Sequence, residues 1–350
     1  MNINDLKKTF SNNSRLNKKF EFKDIDSKHK NIIKNSKTNL ENLNSSNFRN
    51  WGSQNDMGLK YSMTFLSKNF LELNKIRLLN NFFNFFKKRL NHIFEYSSML
   101  DDIEILKLLD GESLIKENPQ NKTPGSINYP LVNGYSVSIR WLRYLYILNQ
   151  IIRFNLINKN DIWLDIGSYY GGLQGLVKKY FPKTKIIMLD FSHQLLRSFI
   201  YLKKLYPNAN HIFPNQSQKI KDIKNIPDGS FVYVEVEDTN TLNNFDIKIV
   251  TNFFSLGEMK KKSFDNYLNS EFMKNAKTIY FANRFNSSPF FEKTYDDSIN
   301  IFDYKLNKEI FYFDIFPMGH YQITNRKILN RTFFRNISSQ YFEIIWKEKI

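Results

Sequence analysis

The spacing of apolar positions changes several times along the chain, and each change predicts a different element. From Tyr61 to Tyr96, apolar residues recur at steps of three and four: Leu66, Phe70, Leu73, Ile76, Leu79, Phe83, Phe86, Leu90 and Ile93. That spacing predicts one long or two stacked amphipathic helices. Ile139, Leu142, Leu145 and Leu148, with Trp141 and Tyr144 between them, predict a mostly buried helix. Ser136 is its expected cap and Phe154 its end. The period then shortens. An apolar run, Trp163 to Asp165, enters a turn containing Gly167, Gly171 and Gly172. An amphipathic segment follows, with Leu173, Leu176, Val177 and Tyr180, and closes at Pro182. A second apolar run, Ile186 to Leu189, ends in Asp190. This predicts strand, turn, helix and strand, with two carboxylates at one edge of a parallel sheet.

The rest of the chain continues the alternation. Ser192 is placed to cap a helix bearing Leu195, Leu196, Phe199, Leu202 and Leu205, which Pro207 ends. Two runs compete for the third strand, and Phe231–Val236 is preferred over the shorter His211–Phe213. Phe245–Asn252 is the fourth strand and Lys277–Asn283 the fifth. Ser263 is the expected cap of the intervening helix, which runs to about Asn275. Glu309–Phe316 and Tyr341–Trp346 suit antiparallel strands that close such a sheet. The fold class is therefore α/β, with an N-terminal helical region. Residues 1–50, rich in Asn, Lys and Ser, are expected to be a mobile or loosely packed arm. Residues 51–135 form the helical region and include a glycine- and proline-rich loop at 111–134. Residues 136–350 form the sheet domain.

Composition narrows the chemistry. The 350 residues contain no cysteine, which excludes disulfides, thiolate metal sites and cysteine nucleophiles. No metal site is expected. No apolar stretch approaches the ~18–20 residues of a membrane helix. The N-terminus is polar with early acids, unlike a secretory signal, so a cytoplasmic location is expected. The net charge of +17 is spread almost evenly, with +6 in residues 1–60, +5 in 61–160 and +6 in 161–350. An even spread alongside abundant Lys, Asn, Ile and Phe fits compositional bias better than a nucleic-acid surface.

The turn at 167–175 reads Gly-x-x-x-Gly-Gly-x-x-Gly. It suits a nucleotide-like ligand, because glycines admit close backbone approach and a helix start offers free N–H donors. An acid ending the second strand, Asp190, can accept both ribose hydroxyls. Three details favour S-adenosylmethionine over a dinucleotide. The glycine spacing differs from Gly-x-Gly-x-x-Gly. Asp165 stands where it can meet the cationic amino group of a methionine moiety. Tyr169 and Tyr170 occupy a turn where a pyrophosphate needs bare backbone.

Four stretches resemble the sugar O-methyltransferase family, a branch of the class I S-adenosylmethionine-dependent methyltransferases. They are GSINYPLVNGYSVSIRWLRY at 125–144, LDIGSYYGG at 164–172, DIKIVTNFFSLGEM at 246–259 and IYFANR at 279–284. The resemblance spans roughly residues 110–330, and the loop with Asn252, Ser255, Glu258 and Met259 points to this branch. The chain departs from the pattern at Tyr169, where the superfamily has a glycine. It departs also at Asp165, where the family usually has Glu, and at Gln322, where an acid is usual.

The resemblance implies a Rossmann-like seven-stranded methyltransferase sheet, with the 51–135 region covering the active site. It implies a methyl transfer from S-adenosylmethionine to a sugar hydroxyl, in surface polysaccharide or glycolipid synthesis. The cofactor-binding residues implied are Asp165, Gly167, Tyr170, Gly171, Gly172, Asp190 and Asn252. A sugar hydroxyl needs a base. Glu258, in the loop after the fourth strand, is the first candidate, and His320 the alternative. The expected partner is a sugar acceptor, free or linked to a nucleotide or lipid, in which case Arg284 and Lys260–Lys262 suit its phosphates. Nucleic acid is not an expected partner, and a homo-oligomer remains open. Two other readings compete. One is an RNA or DNA methyltransferase, although the Asn-Pro-Pro-Tyr pattern for exocyclic amines is absent after the fourth strand. The other is a non-catalytic module of the same fold, with Tyr169 filling the cofactor's place.

Overall fold

The computed structural model describes residues 2–16, 40–49, 96, 98–126, 131–287, 298–318, 322–328, 331–337 and 341–348. Its centre is a run of strands linked by helices. These are β1 (Ile162–Ile166), β2 (Lys185–Asp190), β3 (His211–Ile212), β4 (Phe231–Glu235), β5 (Ile249–Phe253) and β6 (Thr278–Arg284). Two short strands, β7 (Asn286–Ser287) and β8 (Ile299–Asn300), pair with each other. Then come β9 (Glu309–Ile315), a hairpin of β10 (Gln322–Ile328) and β11 (Arg331–Ile337), and β12 (Tyr341–Lys347).

Eight of these strands form one sheet in the order β3-β4-β2-β1-β5-β6-β12-β9. The pairings from β3 to β6 are parallel, and β12 runs antiparallel to both of its neighbours. This is the expected Rossmann-like sheet of seven strands with β3 added at one edge. Both candidates for the third strand therefore belong to the sheet. Phe231–Glu235 pairs with β2, and His211–Ile212 pairs outside it. Two residues are too few to show a period in the sequence.

The strands are apolar because both faces are covered. On one face Trp163, Met188, Tyr233, Ile249 and Tyr280 pack under the helices Ile139–Arg153, Gly172–Tyr180 and Ser192–Leu205. On the other, Leu164, Leu189, Val234, Val250 and Phe281 pack against Phe264 and Leu268 of the Lys261–Leu268 helix and Phe272 and Met273 of Glu271–Asn275. The single helix expected to run from Ser263 to Asn275 is thus two helices, and Ser263 lies inside the first.

Two other caps differ from expectation. Ser138, not Ser136, caps the Ile139–Arg153 helix by accepting the Trp141 N–H at 3.3 Å. Ser136 instead accepts the Asn121 N–H at 3.1 Å and fastens the preceding loop. Ser192 is the first residue of its helix, and its hydroxyl donates to Glu235 at 2.5 Å.

The start of the chain is packed, not loose, where it is described. Ile3–Asn12 is a helix whose Leu6 and Phe10 are fully buried. Phe10 lies 5.8 Å from the Phe199 ring and 5.9 Å from Tyr233. Lys7 donates to the carbonyls of Leu40 and Leu43, tying in residues 40–43. Leu6 and Phe10 stand one helical turn apart, but they are diluted among Asn, Lys and Ser and so show no stripe. The apolar stripe at 61–96 lies outside the described residues except for Tyr96. Among the described residues no helix is long and apolar enough to cross a membrane.

Candidate functional site

β1 has β2 on one side and β5 on the other, so the chain leaves it in opposite directions. A crevice opens beyond the carboxyl ends of strands at such a switch point. The turn after β1 lines it. Gly167 has φ +82° and donates to the Leu189 carbonyl at 2.9 Å. A Cβ there would lie 2.4 Å from the Ser255 hydroxyl, so this glycine is required by the loop after β5. Tyr169 also adopts the left-handed region, at φ +55°. Its N–H donates to Asp190 at 3.1 Å, and the Phe191 N–H donates to the other carboxylate oxygen at 2.8 Å. Gly171, at φ +87°, precedes the Gly172–Tyr180 helix, whose start has no side-chain cap. A Cβ on Gly172 would lie 2.6 Å from the Tyr144 ring.

Asp165 is turned away from the crevice edge. It is buried, accepting the Thr251 hydroxyl at 2.5 Å and the Gln174 side-chain amide. Thr251 in turn accepts the Trp163 indole N–H at 2.8 Å. Burial pushes the Asp165 carboxyl up to about 8, with the nearby Asp190 charge acting in the same direction and the two hydrogen bonds opposing it. The Gln174 side-chain oxygen is buried without a hydrogen-bond partner.

Tyr170 belongs to the core. Its buried ring meets Tyr169, Tyr144 and Tyr201, at 5.1–6.1 Å between centres, and the Arg49 guanidinium lies 5.0 Å from it. Asn252 is also fully buried. Its amide donates to the Ile166 carbonyl at 2.8 Å and to Ser255, and accepts from the Leu256 N–H and the Asn283 amide, each at 3.0 Å. It ties the ends of β1, β5 and β6 together. Glu258 lies in the following loop, half-exposed, with Arg284 at 3.7 Å. His320 lies outside the described residues.

The structure thus brings Gly167, Gly171, Gly172, Asp190 and Glu258 to the carboxyl edge. Asp165, Tyr170 and Asn252 sit behind it, engaged with protein groups. Several neighbours were not anticipated. Thr251 and Gln174 hold Asp165, and Asn283 and Ser255 complete the Asn252 knot. Thr251 shares β-strand parity with Ile249 and faces Asp165 in the β1–β5 register, a relation visible only once the two strands are paired. On the β4 side, the Arg15 N–H donates to Glu235 at 2.9 Å and its guanidinium reaches Asp238 at 2.7 Å. Burial raises the Glu235 carboxyl, while Ser192 and Arg15 pull it back. Over the turn, the Arg140 and Arg197 guanidiniums lie 4.2 and 4.3 Å from the Tyr169 ring centre. Among the described residues no group of three or more His, Asp or Glu is arranged to hold a metal ion.

No protein-family model matches the chain, and no curated protein matches it in sequence. Solved structures are similar in part. The fibrillarin/Nop5p complex aligns at 9% identity over 64% of this chain and 89% of that one, with a TM-score of 0.37. TrmK of M. capricolum, in complex with S-adenosyl-homocysteine, aligns at 12% identity over 58% and 68%, with a TM-score of 0.32. An O-methyltransferase family protein from Burkholderia thailandensis aligns at 7% identity over 59% and 57%, with a TM-score of 0.32. All three TM-scores lie below 0.5.

Proposed function

We propose that the protein is an S-adenosylmethionine-dependent O-methyltransferase whose acceptor is a sugar hydroxyl. One observation carries the reading. Asp190 stands at the carboxyl end of β2, beside the switch point, and its carboxylate meets the turn that ends β1. An acid in that place accepts ribose hydroxyls, and the uncapped helix start at Gly172 offers donors to a carboxylate. These groups fit a nucleoside that carries an amino acid. Asp190 and the backbone of residues 167–171 would hold it, and Asp165, Tyr170 and Asn252 would shape the turn from behind.

When bound, the cofactor supplies an electrophilic methyl group on a sulfonium. The chain's own task is to place the acceptor oxygen and remove its proton. Glu258 is half-exposed on the β5 side of the crevice and is the proposed base. Its ion pair with Arg284, at 3.7 Å, holds it at the rim. The sugar assignment rests on the resemblance of the loop with Asn252, Ser255, Glu258 and Met259.

Titration calorimetry with S-adenosylmethionine tests the cofactor, with Asp190→Ala as the control. Labelled methyl transfer to a panel of nucleotide sugars tests the acceptor. One observation favours a second reading, a binding module without catalysis. Tyr169 puts a large ring into the turn, in a backbone region that costs a non-glycine residue about 1–3 kcal/mol. Absence of cofactor binding at millimolar concentration would select that reading.

A further inference from the structure

The helices before and between the parallel strands return the chain to the rim where those strands start, opposite the crevice. The Gly172–Tyr180 helix ends in Lys178 and Lys179, and the Ser192–Leu205 helix in Lys203 and Lys204. Lysine also stands where strands begin. Lys185 opens β2, and Lys248 and Lys277 immediately precede β5 and β6. The antiparallel β12 ends there in Lys347. Backbone bonds join these pieces into one rim. The Lys248 N–H donates to the Ile162 carbonyl, the Thr278 N–H to the Lys248 carbonyl and the Glu348 N–H to the Lys277 carbonyl, each at 3.0 Å. The Gly229 N–H donates to the Lys183 carbonyl at 2.9 Å. Cations that are spread along the sequence are thus gathered in space.

The acids of this rim leave a surplus of cations. Asp228 pairs with Lys185 at 3.1 Å, Asp246 with Lys248 at 2.6 Å and Glu271 with Lys274 at 3.4 Å. Asp161 accepts the Asn158 N–H at 2.8 Å, and Glu117 the Tyr180 hydroxyl at 2.9 Å. Glu309 and Glu348 stand at the start of β9 and just beyond β12. Among the described residues, Lys159, Lys183 and Lys277 are exposed and in no ion pair. A lysine in the last turn of a helix complements the helix dipole. Lys159 and Lys183 lie in loops, where no dipole calls for them.

The same rim exposes apolar side chains among its cations. Ile152, in the last turn of the Ile139–Arg153 helix, is 40% exposed, and Ile310 and Phe311 at the start of β9 are 58% and 48% exposed. A bulge sets the β9 pair. Tyr312 pairs with Ile345 and Ile310 with Trp346, which leaves Phe311 without a partner on β12. Its ring meets Phe154 at 5.8 Å between centres, and the Lys347 ammonium lies 3.5 Å from its centre. A nucleic acid would use the lysines and gain nothing from Ile152 or Ile310. A bilayer with anionic headgroups uses both kinds of side chain, the cations at the headgroups and the apolar ones at the acyl boundary.

We propose that this rim docks on an anionic bilayer surface, with Ile152, Ile310 and Phe311 inserted among lysines that meet the headgroups. The crevice, at the other rim, then faces water. The proposal holds whether or not the crevice binds a methyl donor.

The full chain is floated with vesicles of phosphatidylcholine alone and of equal parts phosphatidylcholine and phosphatidylglycerol, and its binding to a single-stranded RNA is measured alongside. Flotation is expected with the anionic vesicles only, and it weakens as salt is raised. Lys183→Glu combined with Lys277→Glu is expected to weaken vesicle binding at least about tenfold. Lys8→Glu combined with Lys122→Glu makes the same charge change at exposed positions elsewhere, on the Ile3–Asn12 helix and next to Asn121, and is expected to leave most of the binding. Phe311→Ser and Ile152→Ser are each expected to weaken it at least about threefold, and either serves if the other fails to fold. Equal flotation with neutral vesicles, or none with anionic ones, overturns the proposal. So does an equal loss in the Lys8 and Lys122 variant, or vesicle binding that both serine variants leave intact. RNA binding that the Lys183 and Lys277 reversal abolishes, without vesicle binding, assigns the rim to nucleic acid and overturns it as well.

Discussion

The Tyr169 N–H donates to the Asp190 carboxylate at 3.1 Å, joining the turn after β1 to the end of β2. The acid proposed to hold the ribose therefore also holds the left-handed residue of the turn. Asp190→Ala removes both functions at once. Cofactor affinity is expected to fall by about tenfold or more, since a charged hydrogen bond is worth about 1.5–3 kcal/mol. Asp190→Asn has a single carbonyl oxygen and can accept from Tyr169 or from Phe191, but not from both as the carboxylate does. An intermediate loss is expected, read by calorimetry with S-adenosylmethionine.

Asp165 makes stability depend on pH. Its carboxyl titrates near 3.8 when the chain is unfolded and is pushed up to about 8 by burial when it is folded. The folded state therefore holds the proton more tightly. The stabilisation is complete below about pH 4 and is lost as pH rises through 8. Glu343 adds a second step. It is buried on β12, accepts the Tyr280 hydroxyl at 2.7 Å and that of Tyr146, and is pushed up to about 7 by burial. Asp165→Asn is expected to flatten the upper part of the curve and leave the Glu343 step in place. The new amide can donate to the Gln174 oxygen, which now lacks a partner, once the Gln174 amide turns over. Urea unfolding at a series of pH values between 5 and 9 measures this.

Asn252→Ala is expected to destabilise the fold before it touches chemistry. It strips a partner from the Ile166 carbonyl, the Leu256 N–H and the Asn283 amide. A buried polar group left without a partner costs about 1–3 kcal/mol, so a total of about 3 kcal/mol or more is expected. Thermal unfolding followed by circular dichroism reads it. A variant as stable as the parent would show that the knot is not what joins the three strand ends.

Glu258→Gln separates a catalytic base from a residue that only anchors Arg284 through their ion pair. As proposed base, its loss should lower kcat by about 10²–10⁴ and leave thermal stability within about 0.5 kcal/mol. An anchor would give the opposite result, a lower melting temperature with kcat little changed. The measurement is methyl transfer to whichever acceptor the nucleotide-sugar panel identifies.

The sheet was legible because parallel strands covered on both faces are continuous apolar runs, as in Ile162–Ile166 and Lys185–Asp190. The glycine turn and Asp190 were legible for a similar reason: a left-handed backbone and a strand-ending acid both leave marks on local residue choice. Helix caps were misplaced by two residues at Ser136, because either serine satisfies the local pattern. The bond to Asn121 that decides between them comes from another segment. The packing of Leu6 and Phe10 was hidden because the surface they meet is built by Phe199, Phe213 and Tyr233.

Local order alone thus determined the strand run, the glycine turn and the acid that faces it, since these depend on neighbours along the chain. The tertiary structure decided the rest. A polar side chain at a strand end has the same local signature whether it meets a ligand or another strand. Only the β1–β5 register turned Asp165 to Thr251, and only the approach of β6 put Asn283 on Asn252. Arg143 and Arg284 share no local pattern either, and their contacts with Phe254 and Tyr341 form only when the Ile139–Arg153 helix, the end of β5, β6 and β12 come together.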